Sequence, residues 1–268
     1  MLAKNKTFNN IKIHTQYSIC EGAIKIDDLA TYCKSNKIKS LGLADNYNLC
    51  GALEFSEKLS KVGTHPIIGT QINLKANNIV GKVSLYAQSE EGYKNLTKLS
   101  SLSYLNSKQS EDPACEIKDL IDNNQDLILL SGNYRNFFGK LFYSNKVKNF
   151  NEIINLLKKY FDNRLYFEIQ RHNENEEKNY ENFILNNSKS LNIPIIASQE
   201  VFYLEQDMFE AHDALTCIGE KKFIDDKNRF KYSNEHFLKK KDDLIKLYSD
   251  LPEALENNYN FPLRCSYR

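Results

Sequence analysis

Five side chains able to do metal or acid–base chemistry stand just after short apolar runs: His14, Glu21, Asp45, His172 and Glu200. Imidazole and carboxylate together are the donor set of a multinuclear metal centre. Such a centre activates water and stabilises developing charge on phosphoryl oxygens. Asn46 and Gln71 stand in equivalent places. Their neutral amide oxygens are weak ligands for zinc. Each acidic or imidazole residue also has a plainer reading. His14 and His172 would serve as hydrogen-bonded structural histidines, Glu21 as a turn residue before Gly22, and Asp45 as a cap for the segment after it. His212 falls on a helix and reads as a packing residue. His65 and His236 have no motif around them and read as surface residues.

The elements that would position these groups are legible from periodicity. Strands are expected at Ile11–Thr15, Ser40–Asp45, Ile67–Leu74, Val83–Ala87, Leu127–Ser131, Leu165–Gln170 and Ile195–Ala197. These runs are rich in Ile, Leu and Val, as buried parallel strands are. Helices are expected over Asp27–Lys37, Cys50–Val62, Glu90–Tyr104, Phe150–Phe161 and Glu177–Leu191. Their apolar residues recur at helical spacing, and Gly63 and Asn192 mark two of their ends. About seven βα units point to an α/β barrel or an open doubly wound sheet. Either fold gathers its site at the C-terminal ends of the strands. From Met208 onward the pattern is helical and charged, and residues 257–268 read as a linker.

Composition sets bounds. The chain has 268 residues, 41% of them hydrophobic, which suffices for one large core. Against 36 basic residues stand 35 acidic ones, a net charge of +1, so there is no general pull on nucleic acid. Any DNA contact is expected to be indirect or local. The Lys239–Lys241 run reads as a solvated face balanced by Asp242 and Asp243, and no basic stripe is interleaved with aromatics. Six scattered cysteines form no CxxC pair and read as reduced, mostly buried thiols. No signal peptide and no membrane-spanning run is recognisable, so a cytoplasmic protein without a membrane partner is expected.

Longer segments carry a resemblance. IKIHTQYSICEGAIKIDDL and LGLADNYNLCGALEFSEKLSKVGTHPIIGTQIN resemble the opening motifs of the PHP (polymerase and histidinol phosphatase) domain of the bacterial DNA polymerase III alpha subunit. DLILLSGNY, FEIQRHNENEEKNY, IPIIASQEVFYLEQDMFEAHDALTCIG and DLPEALENN continue it in the same order. The resemblance covers nearly the whole chain and implies one PHP domain over residues 1–268, a distorted (β/α)7 barrel of α/β class. Residues 257–268 would then lead toward a polymerase region outside this chain.

In that family the mouth holds divalent metals or, where ligands are lost, the domain docks a separate proofreading exonuclease, the epsilon subunit. Set against the family pattern, Lys12 replaces the first His of H-x-H. Asn46 replaces the His after the strand-end Asp, Gln71 replaces the Glu of a G-C-E segment, and Glu200 and Phe202 replace a D-x-H. His14, Glu21, His172 and Glu200 remain. Lys12 is expected to pair with Glu21 or Glu200. The resemblance therefore implies a vestigial, metal-free mouth formed by Lys12, His14, Glu21, Asn46, Gln71, His172, Glu200 and Phe202, with no catalytic residue or cofactor. Its partners would be the exonuclease and the rest of the alpha subunit. The alternatives are a residual zinc or manganese site with phosphoesterase or 3'-5' exonuclease activity, and a plain DNA-binding module, which the near-neutral charge disfavours.

Overall fold

The computed structural model describes residues 7–76, 78–108, 111–144 and 147–268. In chain order the elements are β1 (Lys12–Ile13), α1 (Ile26–Asn36), β2 (Ser40–Gly42), β3 (Asp45–Asn46), α2 (Ala52–Lys61), β4 (His65–Ile67), β5 (Gly69–Ala76), β6 (Ile79–Ala87), α3 (Glu90–Leu105), β7 (Ala114–Glu116), α4 (Ile117–Asp122), β8 (Leu127–Leu130), α5 (Phe137–Tyr143), α6 (Val147–Phe161), β9 (Leu165–Ile169), α7 (Glu177–Leu191), β10 (Ile195–Ala197), β11 (Glu200–Val201), α8 (Phe209–Glu220), α9 (Lys241–Leu247) and α10 (Pro252–Asn260). Local chemistry sets several boundaries. Asp27 and Asp28 favour the first turn of α1, and Lys37 closes it in a left-handed conformation. Ser89 caps α3 by accepting from the Gly92 N–H. Asn192, also left-handed, ends α7 as expected.

The fold is α/β, with the strand order of a distorted barrel. One sheet runs β10-β9-β8-β6-β5-β3, with β7 beside β5; β1 pairs with β11, and β2 with β4. All pairings are parallel except those of β6, which is antiparallel to both β5 and β8. A parallel bridge from Ile13 to Leu43 links the short pairs. The expected Ser40–Asp45 strand is broken into β2 and β3, and Ile67–Leu74 into β4 and β5. These breaks bend the wall so that short strands can close around a narrow interior. β7 and β11 were not expected from periodicity, because three- and two-residue strands leave no alternation to read.

Side-chain alternation divides the core. The helices pack outside the wall, α3 to α7 over one side and α1 with α2 over the other. Inside lies a smaller cluster including Ile11, Ala44, Ile67, Tyr86, Ile128, Tyr166 and Ile196. Phe261 belongs to this inner cluster and packs edge-on against Tyr86 at 5.2 Å. It closes the barrel at the N-terminal ends of the strands.

Residues 257–268 are therefore not a free linker. Asn257 and Asn258 are helical, Phe261 and Cys265 are buried, and Cys265 accepts a hydrogen bond at 2.7 Å from His65, which is half-buried rather than on the surface. The physical reason is a clasp. The Asn9 N–H donates to Asn258 Oδ1 at 2.8 Å, and Asn258 Nδ2 donates to the carbonyls of Asn9 and Ala197 at 2.9 Å each. Asn258→Ala leaves these buried backbone groups unpaired and is expected to cost on the order of 3 kcal/mol. Urea denaturation checks this; a change below about 0.5 kcal/mol would show that the clasp contributes little.

Candidate functional site at the barrel mouth

The alternation that fills the barrel floor with apolar groups fills its mouth with polar ones. Residues two apart on a strand share a face. So Lys12 and His14 enter from β1, Gln71 and Asn73 from β5, Glu168 and Gln170 from β9, and Ser198 and Glu200 from the end of β10 and the start of β11. The parallel register sets Lys12 beside Glu200. Both their side chains are buried, as are those of Glu168, His14 and Gln71.

Lys12 Nζ donates to both oxygens of Glu168 at 3.2 Å and lies 3.8 Å from Glu200 Oε1. Its main partner is thus Glu168, which was not among the expected site residues. Glu21, an expected partner, lies elsewhere. Each carboxylate also accepts from other mouth residues through its Oε1. Glu168 Oε1 accepts from Gln170 Nε2 at 2.6 Å and from the Ser198 hydroxyl. Glu200 Oε1 accepts from Gln71 Nε2 at 2.5 Å and lies 3.1 Å from His14 Nε2. Burial, the largest effect on Glu200, pushes its pKa up. The charges of Lys12 and His14 outweigh it and hold the carboxyl well below the usual carboxylate range.

A second network adjoins the first. Asp45 does not cap its own following segment. It accepts from the Thr15 N–H and the Ser18 hydroxyl at 2.6 Å and from the Thr15 hydroxyl at 2.7 Å, and so fixes the loop after β1. Burial raises its pKa, and these hydrogen bonds oppose the rise. Gly22 ends that loop where a Cβ would lie 2.0 Å from the Thr15 carbonyl oxygen, so only glycine fits. Glu21 accepts from Asn46 Nδ2 at 2.6 Å and pairs with Lys82 at 2.9 Å. Lys82 is a cation that sequence reading passed over, because it sits inside an antiparallel strand rather than at a strand end.

Aromatic rings occupy the rest of the mouth. Phe202 stacks on His14 at 4.5 Å and meets Tyr232 at 4.6 Å and His212 at 5.5 Å. His172 stacks on His236 at 3.8 Å and accepts from the Glu200 N–H at 3.2 Å. Burial, then the neighbouring His236, push the His172 pKa well below the usual imidazole range. His236 is therefore a buried mouth residue and not a surface one. It arrives on the irregular stretch 221–240, which Arg229 pins to α8 by a bidentate pair with Asp213 at 2.6 and 2.7 Å. Nothing in the local sequence marks His236 or Tyr232, since the stretch FKYSNEHFLKK that carries them shows neither strand nor helix periodicity. His212 packs as expected, within 2.7 Å of the Glu21 carbonyl oxygen. A cleft of ≈ 310 Å³ remains beside these groups, lined by Lys82, Arg135, Lys140, Glu174, Glu200 and His236 among others. Among the described residues, no three His, Cys, Asp or Glu side chains are gathered so as to hold a metal ion.

Comparison with known proteins agrees with this architecture. The PHP domain family profile matches residues 10–172. The DNA polymerase III subunit alpha of Caulobacter vibrioides is 32% identical over 99% of this chain and 24% of its own length. That of Borreliella burgdorferi is 33% identical over 96% of this chain and 24% of its own. The chain thus spans about a quarter of the length of these curated relatives. An amidohydrolase from Chromobacterium violaceum shares the fold, with a TM-score of 0.50 and 7% identity over 78% of this chain and 96% of that one. The chain belongs to the PHP domain family.

The geometry makes Lys12 the group on which the mouth depends. Lys12→Met leaves Glu168 and Glu200 buried without their cation and is expected to cost about 3–5 kcal/mol at neutral pH. Adding Glu168→Gln should recover more than half of that loss, because one uncompensated charge is removed. Urea denaturation of the two variants and the parent checks this. An equally unstable double variant would show that packing, not charge, sets the penalty.

Proposed function

Starting from that family membership, we propose that this chain is the PHP domain of a replicative DNA polymerase alpha subunit, in a form that works as a metal-free scaffold. The observation that carries the reading is the Lys12 ammonium held against Glu168 and near Glu200. A divalent cation at these carboxylates would face a fixed positive charge within about 4 Å, a repulsion that a low-dielectric site screens poorly. The other donors point the same way. Gln71 and Asn46 offer neutral amides, and Phe202 offers a hydrocarbon ring against His14. The donor set does not fit a multinuclear zinc or manganese centre, and no hydrolytic step is derived through one.

In this reading the mouth is a rigid plug that holds the barrel in shape. The domain's task is to dock a proofreading exonuclease subunit and to support the remainder of the alpha subunit. In this reading the mouth itself makes no contact with DNA. The competing reading, a metal-dependent phosphoesterase or 3'-5' exonuclease, needs ligands that the mouth has replaced.

Two measurements on the 268-residue chain test the proposal. Phosphodiesterase activity with added manganese should equal that of His14→Ala and of buffer. Gel filtration with the exonuclease subunit of the same organism should show a stable complex. Manganese-dependent turnover that His14→Ala abolishes would overturn the metal-free reading. Absence of a complex would overturn the docking role.

A further inference from the structure

At the end of the barrel opposite the mouth, where β2 and β4 begin, lies a second and larger cavity of ≈ 730 Å³. That is within the range of about 300–1,000 Å³ typical of ligand sites. Four lysines line it, Lys37, Lys39, Lys239 and Lys241, and no Asp or Glu does. Lys239 is paired with Glu235 at 3.1 Å. Lys37, Lys39 and Lys241 have no ion pair among the described residues.

Two further observations show that the cavity is more than a basic surface. Asn10 lines it and is 8% exposed, yet its side-chain amide bonds to no described residue, and its amide oxygen is fully buried without a donor. Buried polar groups are normally paired, so an unpaired amide lining a cavity suits a ligand that brings hydrogen-bonding groups. Tyr32 and Tyr259 also line the cavity, and neither is fully buried.

We propose that this cavity binds a segment of single-stranded nucleic acid. Lys37, Lys39 and Lys241 would take its phosphates, and Tyr32 and Tyr259 offer faces for its bases. Asn10 Nδ2 would donate to the polar edge of a base. An acidic peptide would satisfy the lysines but has no flat, hydrogen-bonding ring to use the tyrosines and the amide together. The cluster is absent from any one stretch of sequence. It is assembled from α1 and its C-terminal turn, the start of α9 and the end of α10, within a chain whose overall charge is near zero.

The test is fluorescence anisotropy of a fluorescein-labelled oligodeoxythymidylate with the 268-residue chain, titrated at several salt concentrations. Combined Lys37→Ala, Lys39→Ala and Lys241→Ala should weaken binding by about tenfold or more. It should also flatten the log–log salt dependence by about 2, since each phosphate contact on a single strand contributes roughly 0.7. Tyr259→Ala should weaken binding while leaving the salt slope unchanged. The three lysines are exposed, and unaltered thermal unfolding of the variants shows that they fold. No saturable binding at low salt, or equal binding by the triple-lysine variant, would overturn the proposal. Displacement by a polyglutamate peptide as readily as by an oligonucleotide of equal charge would overturn it in favour of an acidic-peptide groove.

Discussion

A lysine ammonium inside a protein must be paired, because burying it alone is prohibitively unfavourable. Lys12 is fully buried, and much of the barrel mouth is arranged around that requirement. Register places it next to Glu200, and β9, which pairs with β8 and β10 rather than with β1, supplies Glu168. Two carboxylates around one ammonium would repel each other if left bare. Gln170 and Ser198 donate to Glu168 Oε1, and Gln71 donates to Glu200 Oε1 beside His14. The result is a satisfied polar network in which each member fixes the rotamer of the next. Removing the cation would leave Glu168 without its ion-pair partner and Glu200 with His14 alone beside it.

The two ends of the barrel are closed by different means. At the floor, Phe261 seals an apolar interior, and the Asn9–Asn258 clasp holds the tail that carries it. At the mouth, Phe202, Tyr232 and the stacked pair His172–His236 fill the space above the Lys12 network. Phe202 follows β11, His172 follows β9, and Tyr232 and His236 lie on an irregular stretch anchored by Arg229 and Asp213. A mouth packed in this way leaves little space above the Lys12 network itself, and the cleft of ≈ 310 Å³ lies to its side. The open space lies beside the network and, in larger measure, at the other end of the molecule.

Much of this was legible in the residues. The apolar runs placed most of the strands, and the polar residues at their ends named His14, Gln71, His172 and Glu200 as neighbours, which the structure brings together. The departures at Lys12, Asn46, Gln71 and Phe202 could be seen against the family pattern. Other features left no local trace. Glu168 sits inside a strand that reads as apolar, and only its spacing from Gln170 hints that it points inward. His236 and Tyr232 lie in a stretch without helix or strand periodicity, so their place at the mouth depends on where stretch 221–240 folds back. The packing of the tail leaves no local signal because Asn258 and Phe261 act through contacts with residues some 170 to 250 positions away, such as Tyr86 and Asn9, which no periodicity reports.

The central claim is that a protein cation stands at the mouth in place of metal ions. Its most direct test is the metal content of the chain purified from cells grown with added zinc and manganese, measured by plasma mass spectrometry after desalting. The account predicts far less than one equivalent of any transition metal per chain, unchanged by prior treatment with chelator. One or more equivalents of zinc or manganese, lost in His14→Ala, would contradict it.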